Sequence, residues 1–556
     1  MRNRRLMFSA AVIAAGVGLV PGVAQADPAA PGSHGVSVPD VDLKKATLED
    51  AKTFNSSADR SVRKATAGAE GKAAAAPQSA VGNPDLSVGL AAYTVTAHSL
   101  ELDTTITSVP DAWLNVAISW GDGTTSQESF TGGKTITTPH NYAELGTYTI
   151  TVTVTDAANN TSATNSVAVA TLGNEFTPYS PTRLLDTRNG TGAARGKIAP
   201  YTSAKVKISG NGAIPAGVTA AVLNLTVTNA TSGGHVTAFP AGAERPITSN
   251  VNFAPGQTVP NLAVVPVSQD GYVELYNGGW ESIDLIADIS GYFTKASSSG
   301  YTPMTPTRFA DTREGLGTAR GQVAGQSSFG LQIGGSRGVP AGVTAVALNV
   351  TVTNPREAGH LTAYPSGQQA PSASNLNFTA GQTVANSVIV PVGADGRINI
   401  RNGAWAGTDV IVDVVGYYSA DGEGSYMRVK PKRVFDTRDP QGGIFGPLWG
   451  RSYIWVDFSS KWPDISGYVL NTTATNTGGP GFVAVAPDPN ARWMYDNGSA
   501  SWPAAPISST LNFTAGKTVP NLVQASTGYN GIVDFWNQSD DDIDMIVDMF
   551  GYYDKN

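Results

Sequence analysis

A six-residue motif, Arg-x-x-Asp-Thr-Arg, occurs three times in this chain of 556 residues, and each copy begins 125 residues after the previous one. A fixed interval of this length indicates tandem copies of one folded unit. Other segments recur with the motif, such as LNLTVTN at Leu223, which recurs as LNVTVTN at Leu348 and as LNTTATN at Leu470. We place the three modules at 176–296, 301–420 and 426–556.

Each module carries seven or eight short strand patterns, separated by turns, and no helical period. This pattern predicts an antiparallel β-sandwich or barrel. At about 120 residues a module is large enough to bury a core of its own. We therefore expect three independent beads, joined by the flexible Gly- and Ser-rich linkers KASSSG and ADGEGS.

The segment 85–172 also predicts strands. In GTYTITVTVTD, which runs from Gly146 to Asp156, apolar residues alternate with threonines, the period of a half-buried strand. The segment resembles the PKD (polycystic kidney disease) domain, on Trp120-Gly121-Asp122-Gly123, His140, Tyr142, Gly146, Tyr148, Thr155 and Asp156. The resemblance implies an immunoglobulin-like β-sandwich, a non-catalytic module of extracellular proteins that serves as a spacer or binds surfaces or polymers. The predicted class of the whole chain is therefore all-β.

The N-terminus reads as a secretory signal peptide. Three arginines precede an apolar run, and a small-x-small site ends at Ala26. A retained membrane anchor is the alternative, although the run is short for a span. Residues 27–84 have few large apolar side chains, so we predict a disordered linker or prosegment. A PKD-like unit followed by such modules resembles the arrangement of secreted actinobacterial repeat proteins.

The amino-acid composition excludes or disfavours several classes of site and partner. The chain has no cysteine, which excludes disulfides, thiolate metal sites and a cysteine nucleophile. A net charge of −8 argues against nucleic acid and against anionic membranes as partners. We expect a secreted, extracellular protein with no membrane span after signal removal.

Comparison of the copies tests each candidate for catalysis. His235 and His360 are equivalent, but the third module has Phe482 in their place and no histidine at all. A ring packed in the core explains this better than a base or a metal ligand does. Carboxylates recur in all three modules, so a glycan hydrolase that uses a pair of them is an alternative. No spaced calcium loop of the Asp-x-Asp-x-Asp-Gly type occurs, and calcium has only the acidic run from Ser539 to Asp548 in its favour.

The repeated motif has charges that need partners. On an extended strand Asp186 and Arg188 share one face, while Arg183 and Thr187 share the other. Acids on the closing strand of each module are partners for the arginines, which predicts a charged clasp between the first and last strands. A polar pocket for a sugar is the alternative. The candidate residues of the three modules are Arg183, Asp186, Arg188 and Asp288; Arg308, Asp311, Arg313 and Asp413; and Arg433, Asp436, Arg438 and Asp548.

LNLTVTN alternates as well, with Asn224, Thr226 and Thr228 on its polar face. Because all three copies keep this polar face, ordered hydrogen bonding is one interpretation, and a threonine-rich solvent face is the other.

The third module departs most from the others. It holds six of the ten tryptophans and additional residues between Pro487 and Leu511. Aromatic side chains on loops stack on sugars or anchor protein partners. We take Trp493, Tyr495 and Trp502 as candidate ligand-binding residues, the alternative being that the insertion folds back and buries them. The chain is thus interpreted as a non-catalytic binding or adhesion protein for cell-envelope polysaccharide or an extracellular protein, without cofactors. A purely structural envelope component is a further alternative.

Overall fold

Strands account for almost all regular structure in the computed structural model, as the all-β prediction requires. The structure describes residues 53–57, 62–65, 82–440, 444–458, 464–528 and 530–555. The expected signal peptide lies outside these residues, as does most of 27–84. Within the described part of the chain, no helix has the length and apolar character needed to cross a membrane.

An N-terminal sandwich of two antiparallel sheets precedes the modules. Its strands are β1 (Thr53–Asn55), β2 (Val62–Ala65), β3 (Ser87–Thr94), β4 (Ser99–Thr107), β5 (Trp113–Ser119), β6 (Thr125–Thr131), β7 (Thr135–Asn141), β8 (Thr147–Asp156) and β9 (Thr161–Ala170). The sheet orders are β1-β3-β4-β7 and β2-β9-β8-β5-β6. In β8 the alternation works as predicted, since Ile150, Val152 and Val154 are fully buried.

Two short segments of 27–84, which the sequence predicts to be mostly disordered, form strands. Strand β1 pairs antiparallel with β3, and β2 pairs antiparallel with β9. Each adds an edge strand to one sheet of the N-terminal sandwich. A three- or four-residue strand gains its stability from the edge it extends, so composition alone does not reveal it.

Each module is a sandwich of two four-stranded antiparallel sheets, which decides between the sandwich and the barrel. In module 1 the inner sheet is β10 (Glu175–Asp186), β17 (Asp284–Thr294), β12 (Val218–Thr228) and β15 (Val259–Pro266), in that order. Its outer sheet is β11 (Ser203–Lys207), β16 (Tyr272–Asn277), β13 (Gly234–Pro240) and β14 (Val251–Phe253). One core lies between the two sheets.

Modules 2 and 3 repeat this order. The inner sheet of module 2 is β18 (Gly300–Asp311), β25 (Asp409–Ser419), β20 (Ala345–Thr353) and β23 (Val384–Pro391), and its outer sheet is β19 (Ser328–Gln332), β24 (Arg397–Asn402), β21 (Gly359–Pro365) and β22 (Leu376–Phe378). The inner sheet of module 3 is β26 (Ser425–Asp436), β33 (Asp544–Asp554), β28 (Ile465–Thr475) and β31 (Val519–Ser526), and its outer sheet is β27 (Tyr453–Asp457), β32 (Ile532–Asn537), β29 (Gly481–Pro487) and β30 (Leu511–Phe513).

The expectation of independent beads is wrong. The far face of each inner sheet is buried against the other two modules, in one apolar cluster to which all three modules contribute. We call this cluster the shared core. Six aromatic rings form much of it, two from each module: Phe176 and Phe293, Tyr301 and Tyr418, Tyr426 and Tyr553. A module that buries both faces of a sheet needs its neighbours for the second face.

A belt of asparagines continues the same contact beyond the shared core. Asn386 of module 2 donates to Asn224 of module 1 at 3.1 Å. Asn521 of module 3 donates to Asn349 of module 2 at 3.0 Å, and Asn261 of module 1 donates to Asn471 of module 3 at 2.9 Å. These equivalent contacts form a closed cycle, so the modules surround an approximate threefold axis. The polar face of LNLTVTN is therefore buried at a module interface and is not a solvent face.

The linkers are ordered and form a second cycle. Single antiparallel bridges join Phe176 to Ser299, Tyr301 to Gly424, and Tyr426 to Asn174. Each segment expected to be flexible thus pairs with the start of the module before it, and the start of module 3 pairs with the residues that enter module 1. They also hold the N-terminal sandwich, because Leu145 N donates to Ser297 Oγ at 2.9 Å and a ring nitrogen of His98 lies 2.9 Å from Ser425 Oγ.

Candidate functional site

The repeated motif places an arginine between two carboxylates. In module 1, Arg183 Nε and Nη2 donate to Asp288 at 2.8 and 3.1 Å, and Arg183 Nη1 donates to Asp186 at 3.2 Å. Arg188 holds the same Asp186 through Nε and Nη2 at 2.9 and 2.7 Å. The first and closing strands are therefore linked by charge-assisted hydrogen bonds, the geometry of the clasp.

The predicted division of the motif between two faces is wrong. The pairing of β10 with β17 shifts register between Arg183 and Leu185, and the strand ends at Asp186. This bulge turns Arg183 and Asp186 to the same side of the strand. An unbroken strand would have separated them.

Modules 2 and 3 reproduce the arrangement. Arg308 bridges Asp413 and Asp311, and Arg433 bridges Asp548 and Asp436. The outer arginines, Arg313 and Arg438, pair with Asp311 and Asp436 at 2.6 and 2.7 Å.

The two carboxylates of each clasp differ in electrostatics. Burial raises the pKa of Asp288, although Arg183 opposes the shift. The hydrogen bond from Arg188 lowers the pKa of Asp186. In module 2, burial likewise raises the pKa of Asp413, while at Asp311 the hydrogen bonds and charge of Arg313 outweigh burial and lower it.

The clasps also lie where modules meet. Arg183 reaches the carbonyl of Ser372 in module 2 at 3.5 Å, and Arg308 reaches the carbonyl of Ile507 in module 3 at 3.1 Å. Nη2 of each of these arginines thus donates both to the carboxylate of its own module and to a carbonyl of the next module. In modules 1 and 2 the motif thus links the first strand both to the closing strand of its own module and to the next module.

The other recurring acid on the closing strand has separate partners. Asp284 accepts from Thr187 at 2.8 Å and from Asn229 at 2.8 Å. Asp288, four residues later, is bound by Arg183. Each carboxylate is buried and engaged by its own donors, so the two do not face a common cleft.

The equivalent histidines pack against glycines. A Cβ at Gly278 would overlap the ring of His235, and a Cβ at Gly403 would overlap the ring of His360. Burial lowers the pKa of both histidines. Module 3 has Phe482 at this position and Gln538 at the glycine position, and Phe482 packs on the outer face of the sheet instead.

The insertion of module 3 lies on the outer sheet of that module. It contains one short helix, α1 (Arg492–Asp496). Beneath it, Tyr453, Trp455 and Trp536 form a buried aromatic layer on the exterior face of the sheet. Tyr495 of α1 stacks on Trp455 with ring centroids 4.1 Å apart. Modules 1 and 2 have Ser203, Lys205, Ser328 and Gly330 where module 3 has Tyr453 and Trp455.

A pair of buried carboxyl groups fastens the insertion. Asp488 accepts hydrogen bonds from the Tyr495 hydroxyl and from Asn490 Nδ2, the latter at 2.9 Å. Asn490 in turn donates to the carbonyl of Ser501 at 2.9 Å. Burial, together with the hydrogen bond and charge of Asp488, raises the pKa of Asp534 to about 10. Asp534 is therefore protonated at neutral pH.

The three predicted ligand-binding residues lie together but differ in exposure. Trp493 is 62% exposed, and Trp502 is 48% exposed. Trp502 sits edge-on to Tyr453 and Trp536, with centroid distances of 4.9 and 6.0 Å. Tyr495 is partly buried and holds the insertion in place. The insertion thus folds back over the aromatic layer, but it leaves the indoles of Trp493 and Trp502 exposed to solvent.

In the N-terminal sandwich, two stacked aromatic pairs meet edge to face beside the Gly-rich turn. Trp120 and His140 are parallel with centroids 4.3 Å apart, and Tyr142 and Tyr148 are parallel at 3.8 Å. His140 Nε2 lies 2.8 Å from Asp122 Oδ2. Burial would raise the pKa of Asp122, but hydrogen bonds from Thr124 and His140 bring it down to about 2.

The acidic run of module 3 has protein partners at four positions, among them Asp542, which accepts from Gly450 N at 3.1 Å, and Asp548, which Arg433 binds. Asp540 pairs with Arg451 at 2.8 Å, and Asp544 accepts from Thr437 at 2.7 Å. Within the described ranges, no group of three or more histidine or acidic residues is arranged to hold a metal ion.

Sequence reasoning missed a set of exposed tryptophans at one end of the modules. Trp280 of module 1 is 76% exposed, Trp405 of module 2 is 83% exposed, and Trp449 of module 3 is 45% exposed. The first two follow the repeated pattern Asn-Gly-Gly/Ala-Trp, which is the signal that could have found them.

Comparison with known proteins gives no family. No family model matches the chain, and no curated protein does. Among solved structures, SusE-like protein BT2857 is 12% identical, with 37% of this chain and 97% of that chain covered and a TM-score of 0.12. The tandem CBM22-1-CBM22-2 domain of Paenibacillus barcinonensis Xyn10C is 9% identical, with 70% and 100% covered and a TM-score of 0.13. E. coli alpha-2-macroglobulin is 12% identical, with 81% and 28% covered and a TM-score of 0.14. Likeness at this level carries no argument about function.

Proposed function

We propose that this protein is a secreted, non-catalytic binding protein for cell-envelope polysaccharide, and that Trp493 and Trp502 of module 3 contact the ligand. One observation carries the proposal: two indoles stand in solvent on a segment that a buried aromatic layer and buried hydrogen bonds hold rigid. A single exposed tryptophan is common on protein surfaces. Two exposed tryptophans on one rigidly held insertion favour a binding surface that is already formed before the ligand arrives.

The chemistry of this surface suits a sugar. An indole offers a flat apolar face for the C–H groups of a pyranose ring, with polar groups needed beside it for the hydroxyls. Arg492 and Asp496 flank Trp493 on the same short helix and pair with each other at 2.9 Å. Because the insertion is braced before binding, little conformational entropy is lost when the ligand binds.

The absence of catalysis is part of the proposal. A hydrolase needs two carboxyl groups across an open cleft. In module 3 the closest carboxyl pair, Asp488 and Asp534, is buried beneath the insertion. Asp284 and Asp288 and their equivalents are engaged by structural donors.

The N-terminal sandwich is assigned as a PKD-like spacer. Supporting this assignment, the Trp120, His140, Tyr142 and Tyr148 that carry the resemblance form one aromatic cluster of two stacked pairs that meet edge to face. An extracellular, actinobacterial setting rests on the signal-peptide pattern and on the resemblance of the domain arrangement.

Retention on polymer tests the proposal. The mature chain is mixed with purified insoluble cell walls and, separately, applied to a glycan array. We expect retention of the wild type and loss of about tenfold or more in affinity for the Trp493→Ala, Trp502→Ala double variant, since truncated aromatic anchors typically cost this much. Trp113→Ala, which removes a half-exposed tryptophan from the N-terminal sandwich, is the matched control.

Failure of the wild type to bind any polymer or glycan would overturn the polysaccharide assignment. Undiminished binding by the double variant would overturn the site while leaving the ligand class in place.

A further inference from the structure

One end of each module displays an exposed aromatic ring. In module 1 the loop that connects β16 of the outer sheet to β17 of the inner sheet carries Trp280, and in module 2 the equivalent loop between β24 and β25 carries Trp405. In module 3 this connecting loop has Asp540 instead, but Trp449 stands on the loop that faces it. We call each connecting loop with its facing loop a module tip.

The connecting loop and the facing loop are in direct contact in module 3. Gly450 N donates to Asp542 Oδ1 at 3.1 Å, and Leu448 forms a β-bridge with Ile543. Trp449, which lies between Leu448 and Gly450, is therefore next to the connecting loop, which in this module has no tryptophan of its own. An exposed indole is thus present at every tip although it comes from two different loops.

One fully buried asparagine makes each tip rigid. Asn277 Nδ2 donates to the carbonyls of Ile198, Ala199 and Glu281 at 3.1, 3.2 and 2.9 Å, and its Oδ1 accepts from Gly279 N at 2.9 Å. Asn402 and Asn537 repeat this pattern in modules 2 and 3. A buried amide with all of its donors used links the connecting loop to the facing loop. The tryptophans are therefore held on fixed supports.

The residue beside each ring has a costly backbone conformation. Tyr201, Gln326 and Arg451 occupy equivalent positions with φ of 57°, 58° and 56°. Non-glycine residues in this left-handed region concentrate at ligand-binding positions. All three side chains can hydrogen-bond, and each lies at its tip: Tyr201 is perpendicular to Trp280 at 5.8 Å, Gln326 donates to Ala404 O at 3.0 Å, and Arg451 pairs with Asp540.

We propose that the three module tips are a second set of polysaccharide sites, in which Trp280, Trp405 and Trp449 each stack on one sugar ring. This inference rests on the proposed function and extends it from one site to four. Each tip combines an exposed indole with a neighbour that can hydrogen-bond, which matches a pyranose ring and its hydroxyls. A protein partner would instead need a contiguous apolar centre that excludes water.

Repetition points to the same ligand. The tips are related by the approximate threefold arrangement, so they offer one chemistry three times from one rigid body. A polymer of repeating sugars can engage several such sites at once, and each further site raises the effective concentration for the next. A small soluble ligand would gain nothing from the repetition.

The test compares binding isotherms on purified insoluble cell walls, with cellulose, chitin and xylan as further probes. Variants are the Trp280→Ala, Trp405→Ala, Trp449→Ala triple, each single substitution, and Trp113→Ala as control. We expect a few-fold loss for each single variant and about 100-fold or more for the triple on the polymer that retains the wild type. The thermal melting temperature should not change, because these side chains are exposed.

The outcomes separate this inference from the proposed function. If the triple binds like wild type while the Trp493→Ala, Trp502→Ala double does not, the tips are not sites and the proposed function stands. If the triple loses binding and the double does not, the tips stand and the module 3 site is wrong. If the wild type binds none of the probes, both are overturned.

Discussion

Gly416 of strand β25 lies directly beneath the ring of Tyr301, and a Cβ at this glycine would overlap the phenol. The same contact joins Gly291 to Phe176 and Gly551 to Tyr426. The Gly-Tyr-Phe/Tyr ending of each closing strand is thus explained: the glycine makes room for the aromatic ring that the first strand contributes to the shared core.

Gly416→Ala should therefore destabilise the protein by about 1–3 kcal/mol, as overpacking of a dense core does. Urea unfolding measures the difference. Gly89→Ala is the control, because a Cβ at that strand glycine would meet only ordinary contacts with Thr105 at 3.9 Å. Equal stability of both variants would contradict the packing described for Tyr301.

Removal of the inner arginine of a clasp should cost more than removal of the outer one. Arg308→Ala leaves the buried carboxylate of Asp413 without its bidentate partner, and loss of one partner of a buried pair costs about 3–5 kcal/mol. Arg313→Ala leaves Asp311 still bound by Arg308 and removes a half-exposed side chain, so we expect about 1 kcal/mol. Chemical denaturation compares the two; a larger loss for Arg313→Ala would refute this account of the clasp.

The carboxyl pair of module 3 predicts a pH dependence of stability. The pKa of Asp534 is about 10 in the folded protein and near 3.8 when unfolded. Its contribution to stability is complete below pH 4 and is lost progressively as the pH rises from 4 to 10, because over that range the unfolded state has released a proton that the folded state still holds.

Asp534→Asn should remove this component and flatten the melting temperature between pH 4 and 10. Asp540→Asn, which changes an exposed carboxylate, should keep the wild-type slope. Identical profiles for wild type and Asp534→Asn, measured by differential scanning fluorimetry, would show that Asp534 is ionised at neutral pH.

One glutamine donates hydrogen bonds to two tyrosine hydroxyls in the shared core. Gln524 donates to Tyr418 and to Tyr553, whose hydroxyls are 2.7 Å apart. In module 1 the equivalent of Gln524 is Val264, and the equivalent of Tyr418 and Tyr553 is Phe293.

Gln524→Val should accordingly cost about 1–3 kcal/mol, because it leaves buried hydroxyls short of a partner. The triple variant Gln524→Val, Tyr418→Phe, Tyr553→Phe should recover most of that loss, since both sides of the interaction become apolar. A double-mutant cycle by urea unfolding gives the coupling. Additive losses across the three substitutions would be inconsistent with the network.

Local patterns predicted the elements well. The alternation in β8 and the fixed 125-residue interval correctly indicated a half-buried strand and three similar sandwiches. These features depend on residues close in sequence, where periodicity is informative.

The sequence patterns did not lead us to expect the contacts between modules, although one signal of these contacts was present. In β12 the run from Ala220 to Leu223 is apolar at every position, which indicates burial of both faces, whereas a free sandwich would show alternation. The bulge at Leu184 had no such signal, because it is determined by pairing with a strand about 100 residues away. The aromatic layer of module 3 likewise had no signal in the local sequence, because its members come from three separate elements, β27, β32 and α1.

The closed cycle of linkers has a consequence for specialisation. Three identical chains arranged around an axis would have to repeat every feature three times. Here one polypeptide joins the three positions, so a change in one copy remains single. That freedom is visible in module 3, which alone bears the insertion with Trp493 and Trp502, while the clasps and the asparagine belt remain common to all three. Because the three modules belong to one polypeptide, a nearly symmetric scaffold can carry a feature on one module alone.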